Sequence, residues 1–255
     1  MSSITIIDLS VPTENSPSDP MPVEVVHEPH SQSTALIAKF LGCQESELPE
    51  DLGQADDLVK IKAHAGTHMD APWHYSPVCE GKKARTIDEM PIEWFYGNGV
   101  VLDMRHKSNG SGVTVDDLEK ALTKIKYTIE PWDIVLIQTG ADKYWGREEY
   151  FTTGCGMTRD STLYLIDQGV RVMGIDAWGW DRPVWAIKEE FQKTHDTDII
   201  LQAHRVGIER EFCHIEKLAN LDKIPQPFGF KVACFPVKFT GGSAGWCRAV
   251  AIIQK

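Results

Sequence analysis

Four side chains that can coordinate a metal ion fall within one eleven-residue segment of the chain. They all occupy even positions, so an extended backbone would project them to the same side. A helix would bring the first two together, but Gly66 and Pro72 disfavour a regular helix there. Two imidazoles and a carboxylate within reach of one another form a ligand set for zinc, manganese or iron(II). The four residues are His64, His68, Asp70 and His74.

His74 has a different position in this segment from the other histidines. It lies six residues after His68 and follows Pro72, which fixes the turn before it. We therefore expect His74 to stand beside the metal as a general acid or base. Sites with two histidines and one carboxylate also occur in iron-dependent oxygenases, so the ligand set leaves that chemistry open.

The segment resembles the signature of the metal-dependent cyclase/hydrolase family, which includes bacterial kynurenine formamidase and isatin hydrolase. The pattern His-x-Gly-Thr-His-x-Asp-x-Pro-x-His is complete between His64 and His74. Three further stretches look like landmarks of this family, and the resemblance covers most of the chain. They are Ile-Asp-Leu-Ser at 7–10, Gly-Ile-Asp at 174–176 and the ending at 239–250.

The resemblance implies a second group of ligands far along the chain. His204 and Glu216 have the twelve-residue separation of the family's distant ligands, and Glu-Lys-Leu-Ala-Asn-Leu resembles the family's Glu-Asn-Leu stretch. By analogy, Asp70 and Glu216 would bridge two divalent ions, zinc or manganese. His64 and His68 would hold the first ion and His204 the second, although a version with one ion per subunit stays open.

The activity implied is hydrolysis of the C–N bond of a small cyclic or N-formyl amide. A metal-activated water would attack the carbonyl, with His74 as the acid/base. We expect Trp178 and Trp180, which follow a predicted strand, to sandwich a planar substrate. A lactone or ester hydrolase with the same site and a non-catalytic metal-binding protein are the alternatives.

Helical and strand patterns alternate in the middle third of the chain, which predicts a mixed α/β domain. Thr114 begins a helix whose apolar face contains Leu118 and Leu122. Other predicted helices lie at 33–41, 159–168 and 197–209, and predicted strands at 4–9, 99–104, 134–138, 170–175, 231–236 and 249–253. The segment before His30 is expected to be a loop, and 44–57 a surface insertion. The resemblance implies one cyclase-like domain over 1–255, of swivelling β/β/α-like fold.

Composition narrows the class of partner. The 255 residues contain 26 Lys and Arg against 37 Asp and Glu, so the net charge is -11. An acidic surface repels phosphate backbones, so we expect a small-molecule substrate and no nucleic-acid partner. No apolar run is long enough for a membrane span, and the six scattered cysteines favour reduced thiols in the cytoplasm. The resemblance implies a homodimer or homotetramer.

Overall fold

The computed structural model describes residues 3–254 as a mixed α/β fold, which confirms the predicted fold class. The α-helices are α1 (His30–Leu41), α2 (Pro72–Tyr75), α3 (Val115–Ile125), α4 (Arg159–Asp167) and α5 (Val184–Thr194). The strands are β1 (Ile4–Asp8), β2 (Val23–Glu28), β3 (Asp56–Ile61), β4 (His68–Asp70), β5 (Val78–Cys79), β6 (Lys82–Lys83), β7 (Tyr96–Asp103), β8 (Gly112–Val113), β9 (Ile134–Gln138), β10 (Gly156–Met157), β11 (Val172–Ile175), β12 (Cys213–Glu216), β13 (Phe230–Ala233), β14 (Ala244–Trp246) and β15 (Val250–Gln254).

The main sheet has nine strands, in the order β1-β15-β13-β7-β9-β11-β12-β4-β14. Its centre, from β7 to β12, is parallel, and the strands on both flanks are antiparallel. The parallel strands are rich in buried aliphatic residues, as strands covered on both faces must be. The sheet is therefore parallel and buried in its middle and antiparallel on both flanks.

Two apolar clusters cover the two faces of the sheet. Alternate residues of each central strand point to opposite faces, so Val135 belongs to one cluster and Leu136 to the other. The first cluster includes Leu118 and Leu122 of α3, together with residues of α4. This confirms the apolar helix face predicted from the sequence. The second cluster contains Met69 of β4 and Ile215 of β12, which become important at the site.

Most of the predicted elements are confirmed to within a few residues, but the helix predicted at 197–209 is wrong. The chain there forms two short 3-10 segments, Thr197–Ile199 and His204–Ile208. The carboxylate of Asp181 accepts hydrogen bonds from the backbone N–H groups of Ala203 and His204, so a tertiary contact occupies these donors. The α-helix of this region is α5, which begins directly after Pro183.

The chain divides into two compact units, one made of residues 21–62 and the other of residues 3–20 and 63–254. In this smaller unit β2 pairs with β3 in antiparallel register over six residue pairs. The predicted loop before His30 is therefore wrong, because residues 23–28 are a strand. The helix α1 ends at Gly42, whose φ of 70° gives it a left-handed cap.

Within residues 3–254, no helix is both long enough and apolar enough to cross a membrane. All six cysteines lie in this range and are free thiols, five of them buried.

Candidate metal centre

The antiparallel pair formed by β4 and β12 builds the floor of the site. Asp70 lies opposite His214, and His68 lies opposite Glu216. Because side chains alternate along a strand, these four polar groups share one face of the sheet. Met69 and Ile215, which stand between them, enter the apolar cluster on the other face. The two strands thus place four coordinating groups side by side on one face, and apolar side chains on the opposite face.

The chain before β4 is fixed by a separate set of contacts. Gly66 has a φ of 64°, which turns the backbone between His64 and the strand. The Thr67 hydroxyl donates to the Lys217 carbonyl at 2.6 Å, and the buried Lys217 ammonium donates to the His64 carbonyl at 2.8 Å. The segment that follows Glu216 therefore holds the segment that carries His64.

The two carboxylates lie between two pairs of histidines. On one side, Oδ1 of Asp70 is 2.8 Å from His64 Nδ1 and 3.3 Å from His68 Nε2. Oε2 of Glu216 is 3.6 Å from the same His68 nitrogen. On the other side, Nε2 of His214 is 3.2 Å from both Asp70 Oδ2 and Glu216 Oε1. Nε2 of His204 is 3.7 Å and 3.4 Å from the same two oxygens.

His74 reaches the group from the one-turn helix α2. Its Nε2 is 3.7 Å from Asp70 Oδ2, and its side chain is 35% exposed, against 18% for His64 and none for His68. Burial lowers the pKa of His74 to about 4, although the Asp70 carboxylate acts in the opposite direction. His74 is thus the most accessible imidazole of the group.

The ring nitrogens that point away from the carboxylates have partners of their own. Nδ1 of His68 lies 2.8 Å from the Gly66 carbonyl, and Nδ1 of His204 lies 2.6 Å from Asp181 Oδ2. A carbonyl and a carboxylate only accept hydrogen bonds, so both Nδ1 atoms donate and, in the neutral rings, both Nε2 atoms carry lone pairs. Such partners fix the tautomer and orientation of metal-binding histidines.

The buried charges at this site favour a bound cation. Within the described residues, His68 Nε2 and both Asp70 carboxylate oxygens are buried without a hydrogen-bond partner. Burial alone would raise the pKa of the Asp70 and Glu216 carboxyls, but the surrounding histidines hold both well below their usual values. Two buried carboxylates surrounded by imidazole nitrogens are also a ligand set that a divalent cation can coordinate.

The two predicted substrate-binding tryptophans have different surroundings. Trp180 is fully buried, stacks against the His214 ring and donates from its indole to Thr162. Its backbone N–H donates to Glu216 Oε1 at 2.8 Å, so its observed contacts are with the site's own residues. Trp178 is half-buried, packs edge-on against Phe151, and lies with its ring 5.1 Å from the Lys217 ammonium. Substrate contact for either ring stays a prediction.

Sequence reasoning missed three residues of this group. His214 stands two positions before Glu216, and that spacing places both on one face of a strand, but β12 was not among the predicted strands. Tyr75 places its hydroxyl 2.9 Å from His214 Nδ1, and Gly207 leaves the space that the Tyr75 ring occupies. Asp181, the partner of His204, has no sequence signal because the two residues are joined only by the fold.

Comparison with known proteins agrees with this architecture. Kynurenine formamidase of Erythrobacter litoralis is 25% identical over 192 residues, which cover 75% of this chain and 74% of that protein. Isatin hydrolase of Roseibium aggregatum is 27% identical over 202 residues, covering 75% and 72%. An isatin hydrolase crystal structure with the product analogue thioisatinate superimposes with a TM-score of 0.75 at 20% identity, covering 99% of this chain and 93% of that one.

A family model described as "Putative cyclase" matches residues 7–182, more than half of the chain. The match includes the whole segment from His64 to His74 and the loop with both tryptophans. This chain therefore belongs to the putative cyclase family.

Proposed function

We propose that this protein is a metal-dependent hydrolase that cleaves the C–N bond of a small cyclic or N-formyl amide. The observation that carries the proposal is the convergence of Asp70 and Glu216 on two pairs of histidines, with buried ligand atoms that lack a hydrogen-bond partner. The similarity to a kynurenine formamidase and an isatin hydrolase supports the choice of an amide as substrate.

The residues that would hold the cation are those predicted from the sequence, namely His64, His68, Asp70, His204 and Glu216. When bound there, a divalent ion such as zinc or manganese supplies Lewis-acid polarisation of a carbonyl and lowers the pKa of water. The protein supplies the fixed donors, the buried setting and the orientation of each imidazole.

His74 is proposed as the acid/base because it is the most exposed imidazole and lies beside the ligands. A neutral His74 takes a proton from the attacking water while the new C–O bond forms. It then returns that proton to the nitrogen as the C–N bond breaks, so the amine leaves without a negative charge. The half-buried Trp178 ring supplies a flat apolar surface for a planar substrate.

The test combines metal analysis with turnover. Wild type, His64→Ala, Glu216→Ala and His74→Ala are purified gently, and each is assayed for bound metal and for anaerobic hydrolysis of N-formylkynurenine, isatin and a lactone. We expect metal in wild type, less metal in the first two variants, and full metal with a 10²- to 10⁴-fold lower kcat, in order of magnitude, in His74→Ala.

Each failure has a separate meaning. A wild type that binds no metal even after reconstitution would contradict the proposal entirely. Turnover of the lactone alone would move the assignment to a lactone or ester hydrolase with the same metal site. Metal loss in His74→Ala would make His74 a ligand instead of the acid/base.

One contact favours a second candidate, a serine-dependent hydrolase. Ser243 Oγ is 3.0 Å from His64 Nε2, whose Nδ1 is 2.8 Å from Asp70 Oδ1, and Ser243 is the centre of a Gly-x-Ser-x-Gly sequence. However, Ser243 precedes strand β14, whereas a nucleophile elbow lies between a strand and a helix. A serine mechanism also gives no role to His68, His204 or Glu216. Loss of all turnover in Ser243→Ala with metal retained would favour it.

We also propose a homodimer or homotetramer in the cytoplasm. Ile4 and Ile6 on the edge strand β1 are 59% and 63% exposed, and an exposed apolar edge strand can pair with a second chain. The smaller unit exposes further apolar residues, among them Phe40, Leu41 and Leu58. The free thiols fit a reducing compartment. Light scattering at micromolar concentration tests the assembly, and a monomer would contradict it.

A further inference from the structure

We propose that His214 is a direct metal ligand, and that with His204, Asp70 and Glu216 it completes a second cation site of two imidazoles and two carboxylates. This inference rests on the proposed metal-dependent function. It goes beyond the sequence prediction, which gave the second ion one histidine, His204.

The spacing of the ligand atoms supports direct coordination. Nitrogen and oxygen ligands lie about 2.1 Å from a tetrahedral zinc ion, so that neighbouring ligand atoms are about 3.4 Å apart. Nε2 of His214 is 3.2 Å from Asp70 Oδ2 and 3.2 Å from Glu216 Oε1. Nε2 of His204 is 3.7 Å and 3.4 Å from the same oxygens. All four ligand atoms lie within 4.8 Å of one another.

The other nitrogen of His214 has a partner that directs the lone pair towards the carboxylates. The Tyr75 hydroxyl lies 2.9 Å from His214 Nδ1 and 3.4 Å from the Asp70 carbonyl oxygen. When the hydroxyl donates to the carbonyl, its oxygen accepts the hydrogen of Nδ1, and the lone pair of the neutral ring is then on Nε2. Trp180 and Tyr75 stack against the His214 ring and hold its plane.

The negative charge around His204 also favours a cation at this second site. The carboxylates of Asp70, Glu216 and Asp181 all lie within 4 Å of His204, and all three are buried. A protonated imidazole supplies one positive charge to this group, whereas a divalent cation supplies two and uses both Nε2 lone pairs.

The competing role for His214 is a hydrogen-bond donor from Nε2–H to Glu216. The substitution His214→Gln separates the two roles, because a glutamine amide still donates a hydrogen bond but does not replace an imidazole ligand. The matched control is His106→Gln, an exposed histidine outside the site. Zinc-reconstituted wild type and both variants are compared by zinc content per chain and by X-ray absorption, which counts imidazoles per zinc.

We expect about two zinc ions per chain in wild type and in the control, and about one in His214→Gln. The number of zinc-bound imidazoles per chain, which is the zinc content multiplied by the imidazoles per zinc, should therefore be lower in His214→Gln than in wild type. A His214→Gln protein that keeps both ions would overturn the inference while leaving the proposed function intact. A wild type without zinc would instead contradict the proposed function.

Tyr75→Phe provides a second test if His214→Gln does not fold. Loss of the hydroxyl frees His214 Nδ1, so we expect the second zinc to bind about 10- to 100-fold more weakly while the first is unchanged. Equal affinities of both ions in Tyr75→Phe and wild type would count against coordination by His214.

Discussion

Asp181 fixes the orientation of His204 towards the other proposed ligands. Its Oδ2 lies 2.6 Å from His204 Nδ1, and both of its oxygens also accept backbone hydrogen bonds at 203 and 204. The carboxylate thereby fixes the ring, the tautomer and the backbone of one residue at once. Its negative charge would also make Nε2 of His204 a stronger metal ligand.

For Asp181→Asn we expect metal affinity to fall by about 10- to 100-fold, because a neutral amide orients His204 but polarises it less. Competition with a chelator of known affinity measures the change. Asp160→Asn is the control, since the Asp160 side chain is 82% exposed on α4. Equal affinity of Asp181→Asn and wild type would show that the contact is structural only.

Lys217 is the other residue whose environment is set by the tertiary structure. It is fully buried, its φ is 58°, and its ammonium lies 3.5 Å from Asp19 Oδ2. Asp19 in turn accepts a hydrogen bond from the Gly66 backbone. A buried charge is tolerated when it is paired and hydrogen-bonded, and this pair ties the N-terminal segment to the turn before β4.

At the scale of elements, the register between β4 and β12 decides the site. A slip by one residue would move Met69 and Ile215 into the polar face and bury the ligands among aliphatic side chains. The apolar cluster on the opposite face therefore fixes the register of β4 and β12. Only this register buries Met69 and Ile215 and also groups the polar side chains on the other face.

The start of helix α3 is determined by local sequence, through a capping box at Thr114. The Thr114 hydroxyl accepts the Asp117 N–H at 3.2 Å, and the Asp117 carboxylate accepts the Thr114 N–H at 2.8 Å. We expect Thr114→Ala to lower the free energy of unfolding by about 1 kcal/mol, since alanine removes the hydroxyl that accepts the Asp117 N–H and keeps only the backbone half of the box. Urea denaturation measures it, with the exposed Thr123→Ala of the same helix as control. A larger loss in the control would contradict the assignment.

At the scale of the whole molecule, the proposed metal centre joins distant parts of the chain, from 64 to 216. Ligand binding to the folded state alone stabilises it by about 2.7 kcal/mol at a hundred-fold excess over Kd. We therefore expect chelation to lower Tm by several degrees, and zinc or manganese to restore it, because Asp70 and Glu216 lose their counter-charge. Differential scanning calorimetry measures the change.

His68→Ala is the matched variant for the chelation experiment. Since it removes a ligand, its Tm should respond less to chelator than that of wild type. A wild-type Tm that is insensitive to chelator and metal would show that the fold does not depend on the ion.

The sequence by itself determined which candidate metal-binding side chains occur close together, and it determined several of the local elements. The segment from His64 to His74 indicates imidazole and carboxylate as the candidate ligand types. The Thr114 capping box and the Ile134–Gln138 strand are found where the sequence predicts them, because short-range contacts define them. The tertiary structure alone decided that His214, Asp181 and Tyr75 join the group, that 197–209 is not a helix, and that 23–28 pairs with 56–61. Those outcomes depend on strand pairing and on carboxylates from remote segments, and such long-range contacts leave no periodic trace in the chain.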